Sequence, residues 1–239
     1  MKQNYTVYVS GTEASKKIAE ELGFPDAKVF DPENFRKNGR IILVCGNGYE
    51  HHYSHDVSRV IPFPFSKMVI DAHHDIVGWR PVYSESESHV RHSVEFLPNL
   101  RELYMAGYKD KFNGELDKFQ GEQDGKISVR HKKEIGYLKG IKEKITHPSL
   151  DLDVLQRCGF CLPEFRRENR DDTDDDYGIS DSYKGPTLAE VVEVIAAVKA
   201  DNDVVAFDVC GLDLETAARN RAIEQGLEAY RKIIDVFLN

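Results

Sequence analysis

The sequence is poor in cysteine and tryptophan and has no long apolar run. Four Cys and one Trp in 239 residues are too few for a disulfide-stabilised scaffold. No uninterrupted apolar stretch approaches the roughly 20 residues that cross a bilayer. The first residues, MKQNYTVYVSG, lack the charged head and apolar centre of a secretion signal. We therefore expect a soluble, cytoplasmic protein with no membrane partner.

Basic side chains are also too few and too dispersed for a nucleic-acid surface. The chain has 41 acidic and 32 basic residues, and its formal net charge is -9. No basic block would follow a phosphate backbone, so we expect no nucleic-acid partner. The length suits one α/β domain covering residues 1–239. The sequence leaves open whether the protein is a homo-oligomer.

Apolar, β-branched runs alternate with longer helical patterns, which is typical of a parallel sheet covered by helices. The predicted strands cover residues 5–9, 40–45, 67–71, 102–106, 145–151 and 203–209, and the predicted helices cover 13–22, 52–60, 89–97, 187–199 and 214–237. This alternation predicts a three-layer α/β/α fold with a mainly parallel sheet. Two segments interrupt it: 107–125, predicted as an exposed excursion or hairpin, and 168–178, an acidic loop.

Cys158 and Cys161 have the CxxC spacing of half a zinc site or a redox pair. No second CxxC or Cys/His pair exists to complete a zinc site. Two reduced thiols in a loop are therefore the favoured interpretation, and neither residue is included in the predicted site.

Three predicted strand ends carry residue types that bind metals. Ligands of open parallel sheets lie beyond the carboxyl ends of the strands, and here those ends read CGNGYEHHYSH, DAHHD and SLDLD. Alternate residues of an extended chain face the same way, which aims Asp71, His73 and Asp75 into one space and does the same for Asp151 and Asp153. Four crowded aspartates repel one another, so we expect a pair of divalent cations about 3.5–4 Å apart.

These motifs resemble those of a known family. Residues 71–75, DAHHD, are similar to the DAHxD signature of the arginase and agmatinase (ureohydrolase) superfamily, and residues 149–153, SLDLD, resemble its SxDxD signature. The Gly-rich loop 46–54 resembles the loop that supplies a His ligand, most closely in small arginase-like proteins. That similarity selects His51, with His52 as the alternative. Residues 207–211, FDVCG, resemble the motif of the superfamily's last strand.

The resemblance implies an arginase-like fold and a site with two Mn²⁺ ions. A shell dominated by carboxylates, with some imidazole, suits Mn²⁺ on chemical grounds as well, and Zn²⁺ stays the alternative. The implied ligands are Asp71 and Asp151, which would bridge the ions, His51 and Asp75 for one ion, and His73 and Asp153 for the other.

The implied reaction is hydrolysis of a linear C–N bond (amidine, ureido or amide) in a small-molecule substrate, by a hydroxide that bridges the two ions. Asp75 would hold this nucleophile and pass a proton to the leaving amine. His89 lies at the distance along the chain where arginases carry a proton-shuttling His, and it is the second predicted catalytic residue.

One departure from the family pattern bears on the substrate. Members that act on guanidino compounds end the last motif with a Glu, whose carboxylate pairs with the guanidinium. Here that position is Gly211, so arginine and agmatine are poor substrate candidates. Two further interpretations therefore stay open: a zinc-dependent deacetylase of the same broad fold, and a non-catalytic metal-binding protein.

Overall fold

The computed structural model describes residues 4–35, 39–76, 88–109, 113–156, 158–161 and 185–239. Within these ranges one eight-stranded sheet has the order β2-β1-β3-β8-β7-β4-β5-β6, and all neighbouring strands are parallel. The strands are β1 (Tyr5–Val9), β2 (Lys28–Val29), β3 (Arg40–Val44), β4 (Phe65–Ile70), β5 (Leu100–Ala106), β6 (Ser128–Lys132), β7 (Thr146–Asp151) and β8 (Ala206–Cys210). The predicted parallel α/β sheet is confirmed.

Helices cover both faces of the sheet, as the alternating pattern predicts. They are α1 (Glu13–Glu21), α2 (Tyr53–Arg59), α3 (His89–Phe96), α4 (Asn113–Glu122), α5 (Leu188–Asp201), α6 (Leu214–Arg219) and α7 (Ile223–Leu238). Helices α1, α5 and α7 pack on one face through buried residues such as Ile18, Val194 and Tyr230. Helices α2, α3 and α4 contribute Val57, Val90 and Phe119 to two apolar clusters on the other face.

Local sequence explains where the long helix α5 begins and which side it buries. The Thr187 side chain accepts a hydrogen bond from the Glu190 backbone N–H, and the Glu190 carboxylate accepts one from the Thr187 N–H. This reciprocal cap satisfies two donors that a helix start leaves unpaired. Its buried residues, Val191, Val194, Ile195 and Val198, follow the spacing of one helical face. None of the helices in the described ranges has the length and apolar composition needed to span a bilayer.

The prediction of an exposed excursion or hairpin at 107–125 is wrong. This segment contains α4, and its Leu116 and Phe119 side chains are fully buried against β5 and β6. The spacing of these two residues is helical, but Gly, Lys, Asp and Gln around them obscure the period. The predicted helix 214–237 is also two helices, α6 and α7, which are separated by a turn where Arg221 has a φ of 55°.

Cys158 and Cys161 also differ from expectation, because they form a disulfide with Cα atoms 5.6 Å apart rather than two reduced thiols. Both residues are buried. The acidic loop predicted at 168–178 lies outside the described residues.

Replacing Phe119 tests whether α4 is part of the packed structure. Phe119→Ala would leave a cavity between α4 and the sheet, and we expect the free energy of unfolding to fall by about 3–5 kcal/mol. The exposed neighbour Lys118→Ala is the control and should change it by less than about 0.5 kcal/mol. Chemical denaturation measures both. Equal, small effects would show that α4 does not pack as described.

Candidate metal centre

The predicted site residues follow strands whose carboxyl ends are neighbours in the sheet, because β3, β8, β7 and β4 lie side by side. The chain turns directly after β4 and β7, and in each case the first Asp of the motif forms the turn. Asp71 Oδ1 accepts a hydrogen bond from the His73 N–H at 2.7 Å, and Asp151 Oδ1 accepts one from the Asp153 N–H at 3.0 Å. The side chains therefore converge through Asx turns, and the prediction that an extended chain aims them is wrong.

His51 faces three carboxylates from the two aspartate motifs. It lies on a short 3₁₀ helix, Gly48–His52, directly after β3. Its Nδ1 is 3.0 Å from Asp71 Oδ2, 3.5 Å from Asp75 Oδ2 and 3.9 Å from Asp151 Oδ2. The His51 side chain is only 1% exposed. This half of the site is therefore enclosed by the protein.

His73 forms a second, more open half of the site. Its Nδ1 is 2.8 Å from Asp153 Oδ2 and 3.4 Å from Asp71 Oδ1. The His73 side chain is 34% exposed and that of Asp153 is 20% exposed. Asp71 thus presents one carboxylate oxygen to His51 and the other to His73, which is the arrangement expected of a group shared by two cations.

His89 lies on the enclosed side, against Asp75. Its Nδ1 is 3.1 Å from Asp75 Oδ2, and its ring centroid is 4.2 Å from that of His51. The backbone explains this position, because the Asp75 carbonyl accepts hydrogen bonds from the Val90 and Arg91 N–H groups at the start of α3. Asp75 has a φ of 46°, an uncommon conformation that is concentrated at functional sites.

The other two histidines of these motifs point elsewhere. His52, the alternative to His51, contacts the Tyr49 carbonyl through its Nδ1 at 2.8 Å and packs on the Tyr53 ring. His74 pairs with Glu115 of α4, so it faces away from the carboxylates.

The backbone at two glycines passes so close to Asp151 that a side chain there would clash with its carboxylate. A Cβ atom on Gly48 would lie 2.9 Å from Asp151 Oδ2, and one on Gly211 would lie 2.5 Å from Asp151 Oδ1 and 2.7 Å from the Leu152 nitrogen. Gly211 also has a φ of 106°. The position of the Glu that reads guanidinium groups therefore has no room for a side chain in this backbone.

A buried polar network behind the site was not predicted from the sequence. Asp208 Oδ2 accepts a hydrogen bond from Ser149 Oγ at 2.7 Å, and Ser149 Oγ lies 2.8 Å from His51 Nε2. Asp208 Oδ1 lies 2.6 Å from His147 Nε2, and the other nitrogen of that ring is 2.9 Å from Ser58 Oγ. The alternation of residues in THPSLD places His147, Ser149 and Asp151 on one face of β7. This alternation of polar residues is the sequence signal that could have predicted the network.

This network determines how His51 is protonated. The Ser149 hydroxyl has one hydrogen, which it donates to the Asp208 carboxylate, so its oxygen accepts the His51 Nε2–H. The lone pair of a neutral His51 is then on Nδ1, which is buried, has no hydrogen-bond partner among the described residues and faces carboxylate oxygens. Lone pairs that face one another in this way require a proton or a cation between them.

The pKa shifts of the site have the same cause. Burial opposes a charge on His51, yet the Asp71 and Asp75 carboxylates hold its pKa well above the usual value. Burial and the charges of Asp153 and Asp71 raise the pKa of Asp151 well above its ordinary value. Protons thus compensate the crowded carboxylates when no cation does, and metal binding would release them.

The donor spacing fits divalent metal ions. Two donors bound to one ion at about 2.1 Å, with tetrahedral or octahedral angles, lie about 3.0–3.4 Å apart. Separations of 3.0 Å from His51 to Asp71, 3.1 Å from His89 to Asp75 and 3.4 Å from His73 to Asp71 are close to this range. Two sets of three donors reflect the two halves: His51, Asp75 and His89, and Asp71, His73 and Asp153. Two divalent cations would also balance the four aspartates.

Comparison with known proteins agrees with this architecture. No protein-family model matches the sequence, and no curated protein matches it. Among solved structures, agmatine ureohydrolase of Thermoplasma volcanium matches 99% of this chain and 89% of its own with a TM-score of 0.62 and 15% identity. Arginase from Bacillus caldovelox matches 100% and 99% with a TM-score of 0.60 and 14% identity. Formimidoylglutamase from Bacillus subtilis subsp. subtilis str. 168 matches 94% and 64% with a TM-score of 0.57 and 11% identity. The arginase-like fold is confirmed.

Substitution of Gly211 tests how tightly the backbone is packed against Asp151. Gly211→Ala combines a left-handed backbone with a clash at Asp151, so we expect the free energy of unfolding to fall by about 2–5 kcal/mol and the affinity for Mn²⁺ to fall with it. Gly125→Ala is the matched control, because Gly125 has a φ of 76° and no atom of the described residues lies within 4 Å of its Cβ position. Gly125→Ala should lower the free energy of unfolding only through backbone strain, by about 1–2 kcal/mol. Identical losses in stability and unchanged metal affinity would contradict the packing described here.

Proposed function

We propose that the protein is a metal-dependent hydrolase that cleaves a linear C–N bond of a small molecule, and that it does so with a pair of divalent cations. The observation that carries this proposal is the convergence of four aspartates and two histidines, with His51 Nδ1 3.0 Å from Asp71 and His73 Nδ1 2.8 Å from Asp153. The fold shared with arginase, agmatine ureohydrolase and formimidoylglutamase supports it.

The residues would divide between two cations, which we take to be Mn²⁺ with Zn²⁺ as the alternative. Carboxylate-rich sites favour hard ions such as Mn²⁺, while imidazole also suits Zn²⁺. When bound, such a pair lowers the pKa of water and supplies a strong nucleophile at neutral pH. The residues that would hold the pair are Asp71 and Asp151, together with His51 and Asp75 at one position and His73 and Asp153 at the other.

Asp75 is the residue that we assign to proton transfer. Its side chain is 12% exposed, so it reaches the edge of the enclosed half of the site. Burial opposes its charge, but the imidazoles of His51 and His89 lower the pKa of Asp75 and keep it ionised. An ionised carboxylate at this edge can accept a proton from the nucleophile and donate it to the leaving amine. His89, the other predicted catalytic residue, contacts Asp75 Oδ2 through its Nδ1 at 3.1 Å.

The open half, with His73 and Asp153, is where a substrate would approach. A guanidinium substrate would lack its usual carboxylate partner, because Gly211 leaves no space for one beside Asp151. Substrates with a neutral ureido or amide carbon need no such partner, and a formimino group has one nitrogen fewer than a guanidinium to pair with a carboxylate. We therefore propose that the protein acts on one of these groups and not on arginine or agmatine.

A substrate panel tests this proposal directly. Protein loaded with Mn²⁺, or with Mn²⁺ and Zn²⁺ together, is incubated with guanidino, ureido, formimino and acetylated amines, and release of ammonia, amine or acetate is followed. We expect turnover of a ureido or formimino compound and none of arginine or agmatine. Asp75→Asn should lower kcat by about 10²–10⁴-fold, whereas the exposed Asp124→Asn should leave it unchanged.

Two results would contradict the proposal in different ways. If wild type and Asp75→Asn are equally inert across the panel while both hold two ions per chain, the protein is a metal-binding protein without this activity. If the wild type holds a single Zn²⁺ and releases only acetate, it is a deacetylase.

A further inference from the structure

The two halves of the site differ in donor chemistry as well as in exposure. Asp71, His73 and Asp153 offer two carboxylates and one imidazole. On the enclosed side, His51, Asp75 and His89 offer two imidazoles and one carboxylate. Cys210 is on the enclosed side too, where its sulfur and the donors of His51 and Asp151 all lie within 4.8 Å of one another. Nitrogen and sulfur donors are thus concentrated in one half.

The fold holds His89 in place beside Asp75. Its side chain is fully buried, and α3 begins with two backbone hydrogen bonds to the Asp75 carbonyl, at 3.1 Å from Val90 and 3.4 Å from Arg91. The residue that carries the enclosed carboxylate therefore also anchors the helix that carries the second imidazole. These hydrogen bonds hold the backbone of this helix end next to Asp75, and burial limits the movement of the His89 side chain.

The same Asp75 oxygen faces both imidazoles of the enclosed half. Asp75 Oδ2 is 3.1 Å from His89 Nδ1 and 3.5 Å from His51 Nδ1. Donors that share one ion at about 2.1 Å are spaced in this way. A second imidazole shifts the preference of a position toward borderline ions such as Zn²⁺, whereas a donor set dominated by carboxylates favours Mn²⁺.

We propose that the two metal positions are chemically unequal: His89 is an additional ligand of the enclosed position, which prefers Zn²⁺, while the position formed by Asp71, His73 and Asp153 prefers Mn²⁺. This inference rests on the proposed function, because it assumes that the site holds two cations. It adds a ligand and a metal preference that the sequence motifs do not imply.

Competitive metal loading tests the preference. Metal-free protein is equilibrated with equal excesses of Mn²⁺ and Zn²⁺, desalted and analysed for both metals. We expect one Zn²⁺ and one Mn²⁺ per chain, with a Mn²⁺ electron paramagnetic resonance spectrum free of Mn–Mn coupling. Zinc K-edge absorption of wild-type protein carrying one equivalent of Zn²⁺ should show two imidazole ligands. One imidazole would overturn the inference and needs no variant to be informative.

The His89→Gln variant tests whether His89 binds the ion or only orients Asp75. Loss of an outer hydrogen-bonding partner lowers metal affinity by about 10–100-fold. If His89 is a ligand, its loss should therefore lower the Zn²⁺ affinity by more than about 100-fold. Competition with a chromophoric chelator measures this affinity. His92→Gln, on the same helix but only partly buried, should leave the affinity unchanged, and thermal unfolding checks that both variants fold. A Zn²⁺ affinity lowered by no more than about 100-fold in folded His89→Gln would overturn the assignment of His89.

The outcomes distinguish this inference from the proposed function. Two Mn²⁺ ions per chain in the presence of Zn²⁺, together with turnover of a ureido or formimino compound, would overturn the unequal positions and leave the hydrolase proposal intact. Protein that binds no divalent cation would overturn both.

Discussion

Repulsion among buried carboxylates is the constraint that organises this molecule. Asp71, Asp75 and Asp151 are buried within reach of one imidazole, and ionised groups in such surroundings require compensation by opposite charge. Protons provide it in part, as the raised pKa values of His51 and Asp151 indicate. Two divalent cations would provide it fully. The hydrolase proposal follows from this requirement and from the fold, because a cation pair at strand ends is a means of activating water.

The rest of the centre of the sheet is arranged to keep these groups in position. Asp208 and Ser149 pair across β8 and β7, and their hydrogen bonds orient the His51 ring so that Nδ1 faces the carboxylates. Lys67 is also fully buried on this side, where burial lowers its pKa to about 8. The larger apolar cluster lies on the opposite face, under α1, α5 and α7. The buried polar residues and the larger part of the apolar core are thus on different faces of the sheet.

Sequence alone predicted the features that depend on local pattern and strand order. The strands that carry DAHHD and SLDLD were recognisable from apolar runs followed by acids, and the structure places His51 beside both motifs. The sequence alone did not reveal that Asx turns, rather than an extended chain, aim the side chains. Nor did it reveal the φ of 46° at Asp75, because that conformation goes with the contacts of Asp75 to α3. The partnership of Ser149 with Asp208 depends on sheet register, and the burial of Phe119 depends on β5 and β6, so neither is visible in one stretch of residues.

The central claim is that these carboxylates share divalent cations, and anomalous X-ray scattering from crystals grown with Mn²⁺ and Zn²⁺ measures it most directly. The account predicts two anomalous peaks between the ends of β4 and β7, each about 2.0–2.3 Å from its donor atoms, with Asp71 and Asp151 bound to both. The absence of peaks there, with the carboxylates hydrogen-bonded to one another or to water, would contradict it.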